Sequence, residues 1–172
     1  KYNPEWHAMI YVALKTGLRY GELCELRWKD LDLTNGLLYV RRSYCDGYVT
    51  SPKSGKSREI PLSQATVKFL KGMRHLKSEL VFCKPDGGRH IHHRADVALK
   101  RCCGKAGLRR IGWHVLRHTF ASHLVGAGVH LRIIQELLGH ASIAMTERYA
   151  HTSTELIRNA VETLDICKVT AQ

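Results

Sequence analysis

Along most of this chain the apolar residues recur at helical spacing, and that period breaks once, between residues 37 and 61, into short β-rich runs. The pattern points to an α+β fold, mainly helical, with a small three-stranded antiparallel sheet. Asn3-Pro4-Glu5 reads as an N-cap, a proline at the first helical position and an acid in the first turn. Trp6, Met9, Ile10, Ala13 and Leu14 then form one apolar stripe, which Gly17 ends. A second short helix fits residues 21–28, with Leu23 and Leu26 inward, and residues 32–36 form a turn cluster. Residues 37–42, 46–50 and 57–61, separated by turn residues that include Pro52 and Ser54-Gly55, predict the three strands of a meander.

Helical spacing resumes after Ser63, a good N-cap. Val67, Leu70 and Met73 lie on one face there, and Lys68, Lys71, Arg74 and Lys77 make another face basic. Pro85-Asp86-Gly87-Gly88 is a turn. A basic helix and its exit follow over residues 89–110, then helices over 114–126, 130–138, 142–149 and 153–167. In the 130–138 helix Leu131, Ile134, Leu137 and Leu138 face inward and Gly139 is the stop.

A chain of 172 residues suffices for one domain with a single core. Its 27 Lys and Arg against 15 Asp and Glu give a formal charge of +12, which favours a polyanionic partner. Residues 89–110 alone hold seven Lys or Arg and one acid, Asp96. With 44% hydrophobic and 24% charged residues the composition excludes disordered and low-complexity classes. No apolar run is long enough for a membrane span and no secretory leader is visible, so a cytoplasmic location is expected. The six cysteines are spread widely and read as reduced thiols, with Cys102 and Cys103 expected to be buried on a helix. The start at Lys1, directly before a helix signal, leads us to expect a longer N-terminus in the natural protein.

Three local constellations could carry chemistry: Thr16-Gly17-Leu18-Arg19-Tyr20-Gly21-Glu22, His114-Val115-Leu116-Arg117-His118, and Leu138-Gly139-His140 followed nine residues later by Tyr149. Each sets a cation or an imidazole near a helix end, where singly it could serve as a surface group or a partner of the helix dipole. Eleven histidines and six cysteines invite a metal reading, and His114 and His118 have the i, i+4 spacing of zinc ligands. With neither His-Glu-x-x-His nor Cys-x-x-Cys in the chain, no metal is expected. His90, His92 and His93 are expected to be surface side chains or to face the polyanionic partner.

Together the three constellations resemble the tyrosine recombinase (phage integrase) family over essentially the whole chain, taken as the catalytic domain without an N-terminal core-binding domain. The resemblance implies a catalytic set of Arg19, a hairpin lysine, His114, Arg117, His140 and the nucleophile Tyr149, with no cofactor and no metal. Two lysines compete for the hairpin role. Lys53 stands eight residues before Pro61, the usual family spacing, and is preferred; Lys56 would then be a phosphate contact. Glu22, three residues after Arg19, is expected to be a supporting carboxylate, because an acid facing a phosphate would repel it.

That chemistry suits these residue types. Two guanidinium forks can bind the non-bridging oxygens of a five-coordinate phosphorus and stay charged at any working pH. A phenol with an unperturbed pKa of about 10 needs a proton acceptor or a strongly cationic pocket. The implied product of attack is a 3′-phosphotyrosyl link and a free 5′ hydroxyl, protonated by the hairpin lysine. Double-stranded DNA is the implied partner, with Lys56, Arg58, Lys68, Lys71, Arg94, Lys100 and Arg101 as candidate contacts. A monomer is expected for the isolated domain and a tetramer on DNA, with room for accessory DNA-bending proteins. The segment 152–172, whose Leu156, Ile157, Val161 and Leu164 form an apolar stripe, is expected to pack on its own domain or on a neighbouring protomer. The alternatives are strand nicking and closing of the type IB topoisomerase kind, and a catalytically silent DNA-binding protein.

Overall fold

The first helix, α1 (Pro4–Thr16), buries Ala8, Met9, Val12 and Ala13 and forms the spine of the molecule. It ends where Gly17, at φ +63°, takes the left-handed conformation that other residues disfavour. The same glycine allows a close approach, since a Cβ there would lie 2.4 Å from Phe120 Cδ1. The computed structural model describes residues 4–52, 55 and 57–149. Short helix α2 (Tyr20–Cys24) follows, then a 3-10 turn (Trp28–Asp30).

The sheet differs from the expected meander. Strands β1 (Leu31–Asp32), β2 (Leu37–Val40) and β5 (Arg58–Pro61) pair antiparallel in the order β1-β2-β5, with Leu38 opposite Ile60 and Val40 opposite Arg58. Between them β3 (Ser43–Cys45) and β4 (Tyr48–Thr50) form a separate two-stranded hairpin. The expected strand 46–50 begins in its turn: Asp46 and Gly47 both have positive φ, +50° and +90°, as a two-residue hairpin loop requires. β4 is exposed throughout, so no core pulls it into the main sheet.

Helix α3 (Gln64–Gly72) is capped by Ser63, whose hydroxyl accepts from Thr66 N at 3.3 Å. Its Phe69 stacks on Tyr11 of α1, with ring centroids 4.3 Å apart. Helices α4 (His92–Lys105), α5 (Trp113–Gly126), α6 (Leu131–Leu138) and α7 (Ala144–Glu147) complete the described chain. One core gathers α1, α2, the main sheet and α4 with Trp113 and Leu116 of α5. A smaller core joins the rest of α5 to α6 through Phe120, Ala121, Ile134 and Leu138. The functional motifs lie along the seam between the two.

Two further expectations change. His90 is buried, its ring 4.4 Å from that of Trp6, and its carbonyl accepts from the Tyr20 hydroxyl at 3.3 Å, because the chain folds back over α1 before α4 begins. On α4 only Cys103 of the expected buried pair is buried; Cys102, one residue around the helix, is exposed. The helix expected over 153–167 lies outside the described residues. Among the described residues no helix is long and apolar enough to cross a membrane, and no three His, Cys, Asp or Glu side chains are grouped to hold a metal.

Candidate active site

The site is built on the end of α6. An α-helix leaves its last four carbonyls without intrahelical donors. Here Gly139 turns left-handed at φ +63°, and the amides of Gly139 and His140 cover the carbonyls of Glu136 and Gln135 at 3.0 and 3.1 Å. Two arginines cover the remaining pair. Arg117 Nη2 donates to Leu138 O at 2.6 Å, and Arg58 Nε donates to Leu137 O at 2.8 Å. Both cations sit at the negative end of the helix dipole, where positive charge is favoured.

Arg117 is only 2% exposed and also donates through Nη1 to Gly17 O at 2.8 Å, so it clamps the end of α1 to the end of α6. Burial first, then the charge of Arg19, lowers its pKa to about 9, which leaves it protonated at neutral pH. Arg19 stands at the N-cap of α2. Its amide and its Nη1 donate to the two oxygens of Glu22, at 2.9 and 3.0 Å. Glu22 is itself buried and additionally clasped by Arg58, with Nη1 to Oε1 at 3.0 Å and Nη2 to Oε2 at 2.7 Å. Burial pushes the Glu22 carboxyl up, but the Arg58 hydrogen bonds and charge, with help from Arg19, hold it below the usual carboxylate range. It is therefore ionised and occupied by arginines.

His140 follows directly from the α6 terminus. Its Nδ1 lies 2.9 Å from Thr146 Oγ1, and the Gln135 side chain donates to its carbonyl at 3.2 Å. Burial, followed by the charges of Arg117 and Arg19, lowers its pKa to about 4, so the ring is neutral at pH 7. Tyr149, just past α7, is half-buried against the smaller core, and its hydroxyl lies 2.5 Å from His118 Nδ1. Burial raises the Tyr149 phenol above its ordinary value, against the pull of Arg117 and Arg148. Burial and the same two arginines lower His118, which is also neutral at pH 7. His114, exposed on α5, sets its ring edge-on to His118 with centroids 5.3 Å apart.

The fold thus brings Arg19, Glu22, Arg117 and His140 together around the α6 terminus, with His114, His118 and Tyr149 beside them. Lys53 and Lys56 lie outside the described residues. Arg58, expected as a DNA contact, has a side chain that is 8% exposed and committed to Glu22 and Leu137, because β5 packs against the helix end. Lys68, Lys71, Arg94 and Arg101 are exposed on α3 and α4, while Lys100 pairs with Asp96 one turn away at 3.0 Å. Thr146 and His118 were not expected at the site. His118 was visible in the sequence only as the i, i+4 neighbour of His114, a spacing weighed for metal rather than for a phenol. With Arg19, Arg58 and Arg117 around one ionised carboxylate and Arg148 near His118, His140 and Tyr149, the site is cationic and suited to a phosphodiester.

Known proteins share this architecture. The Phage integrase family model matches residues 4–155. Tyrosine recombinase XerC of Xanthomonas campestris pv. campestris (strain B100) is 34% identical over 149 residues, covering 84% of this chain and 43% of its own length. Tyrosine recombinase XerC of Thermodesulfovibrio yellowstonii is 34% identical over 171 residues, covering 92% and 52%. Among solved structures, the Tn1549 transposon integrase in complex with a circular intermediate DNA matches with TM-score 0.81 and 25% identity, over 93% of this chain and 59% of that one. The XerH site-specific recombinase bound to its difH substrate matches with TM-score 0.71 and 27% identity, over 94% and 48%. The chain spans about half the length of the curated relatives it matches.

Proposed function

Because the chain belongs to the phage integrase family, we propose that it is the catalytic part of a site-specific DNA recombinase that breaks and rejoins strands through Tyr149. One observation carries the reading: Arg19, Arg117 and His140 gather around a single helix end, and Tyr149, nine residues beyond His140, lies beside them with its hydroxyl on an imidazole. DNA in complex with the Tn1549 integrase and with XerH supports the choice of substrate.

Arg19 and Arg117 hold the non-bridging oxygens of the scissile phosphate and neutralise the charge that grows on them at the five-coordinate stage. The Tyr149 oxygen attacks phosphorus as its proton passes to a neutral imidazole. His118 is the ring in contact with the hydroxyl before DNA binds, which leaves His140 and His114 to hydrogen-bond the phosphate. The bond from phosphorus to the 5′ oxygen breaks, and the hairpin lysine, Lys53 or Lys56, protonates that oxygen. The phosphodiester energy is kept in the phosphotyrosyl link, so attack by another 5′ hydroxyl reverses the step without ATP. Exchange between two duplexes cuts four strands and so uses four tyrosines, which makes a tetramer the working assembly on DNA. On this reading the protein, bacterial or phage-encoded, meets that DNA in the cytoplasm.

The test is a duplex nicked close to the cleavage site, so that a short fragment escapes after attack. A covalent protein–DNA adduct that forms with chelator present and disappears in Tyr149→Phe supports the reading. An adduct that persists in Tyr149→Phe overturns it.

A further inference from the structure

We infer that Arg58 is a positioning residue of this site, fixing Arg19 through Glu22 and His140 through the end of α6 in a single guanidinium. The inference rests on the recombinase reading above. Three of the side chain's N–H groups are committed: Nε to Leu137 O at 2.8 Å, Nη1 and Nη2 to the two oxygens of Glu22 at 3.0 and 2.7 Å. Leu137 O is one of the four orphan carbonyls of α6, and the next two residues after Leu138 are Gly139 and His140. Glu22 is the carboxylate that takes both the amide and Nη1 of Arg19. Arg58 therefore ties the strand that follows the lysine loop to both of the elements that present cationic and imidazole groups.

The seat is fitted to this side chain. A Cβ on Gly139 would stand 2.9 Å from Arg58 Cδ and 3.2 Å from Nη1, so the absence of a side chain at 139 makes room for the guanidinium. Lysine cannot replace it, because a single ammonium cannot reach a helix carbonyl and also hold two carboxylate oxygens in one plane. With Arg58 gone, Glu22 keeps its burial and turns to Arg19 for its partners, pulling that guanidinium away from an incoming phosphate. A direct phosphate contact is a different role, and it would make the losses from Arg58→Lys and Arg19→Ala add.

The experiment measures single-turnover adduct formation by the full chain on the nicked duplex, with the ordinary phosphate and with a methylphosphonate at the scissile position. The methyl group removes the charged non-bridging oxygen that the arginines neutralise. On the phosphate, Arg58→Lys lowers the rate at least tenfold while the dissociation constant for DNA changes less than threefold. On the methylphosphonate the same substitution costs less than threefold, because a misplaced Arg19 no longer matters. Combined with Arg19→Ala, Arg58→Lys adds little further loss on the phosphate, since the two act as one unit. Should Arg58→Lys not fold by thermal melting, Glu22→Gln carries the same contrast between substrates. An unchanged rate, an equal defect on both substrates, or weakened binding with intact chemistry overturns the inference. If the wild-type chain forms no Tyr149-dependent adduct, the recombinase reading falls first and this inference with it.

Discussion

Gly139→Ala isolates the physics of the α6 terminus. Gly139 sits at φ +63° and ψ +48°, a conformation that costs a residue with a Cβ about 1 to 2 kcal/mol. The added methyl would also stand 2.9 Å from Arg58 Cδ and 3.3 Å from its Nε. Arg58 must shift, and its bond to Leu137 O, now 2.8 Å, is the one most directly in the path. A hydrogen bond from a charged donor contributes about 1.5 kcal/mol or more, so the combined loss is about 3 kcal/mol. Urea unfolding followed by circular dichroism reads this as a fall in midpoint of about 1.5 M, taking a slope of about 2 kcal/mol/M. The decisive form is a double-mutant cycle with Arg58→Met. In that background no guanidinium is left to displace, and Gly139→Ala should cost only the left-handed part, about 1 to 2 kcal/mol. An identical loss in both backgrounds, or a loss below about 0.5 kcal/mol in the wild type, would refute the coupling between Gly139 and Arg58.

Glu22→Gln tests the buried carboxylate. Its carboxyl is held below the usual range, so its stabilisation is present above that range and is lost as pH falls through the lowered value. At pH 7 the variant should be about 3 kcal/mol less stable, and the two stability curves should converge on acidification; parallel curves would count against the account. His140 bears the opposite charge logic with the same sign in pH. Its pKa near 4 lies below the unfolded value of about 6.5, so the chain takes up a proton on unfolding between the two, and stability should rise with pH across that window. His140→Gln should flatten urea midpoints measured from about pH 4.5 to 6.5, and an unchanged slope would show that the ring is not shielded as described. DNA affinity should fall steeply with salt. If Lys68 and Lys71 both meet phosphates, replacing both by Gln lowers the slope of log K against log salt by about 1.8, and an unchanged slope removes α3 from the interface.

Local signals were legible in the chain and distant ones were not. Gly17 and Gly139 end helices because of conformational preferences that each residue carries by itself, so Arg19 and His140 could be placed at helix ends before any packing was known. The sheet was harder. β1 is two residues long and has no period to read, and the Asp46-Gly47 turn signal stands at the start of a run whose composition is that of a strand. Nothing local says that β5 returns to β2 past the intervening hairpin. Arg58 shows the limit most clearly. In sequence it belongs to a basic run and resembles a phosphate contact, yet its partners lie 36 and 79 residues away, and only the fold reveals that they are a buried carboxylate and a helix-end carbonyl. His118 is similar, 31 residues from the tyrosine it touches. The contact between Glu22 and Arg19 was legible, because three residues separate them at the start of one short helix.

The central claim is that Tyr149 becomes joined to DNA through a phosphate. The most direct measurement traps the adduct on nicked DNA, digests protein and DNA, and sequences the nucleotide-bearing peptide by mass spectrometry. The account predicts a peptide containing Tyr149, linked through its phenolic oxygen to a 3′ phosphate, with a free 5′ hydroxyl on the released strand. Linkage at another residue, or to a 5′ phosphate, would contradict it.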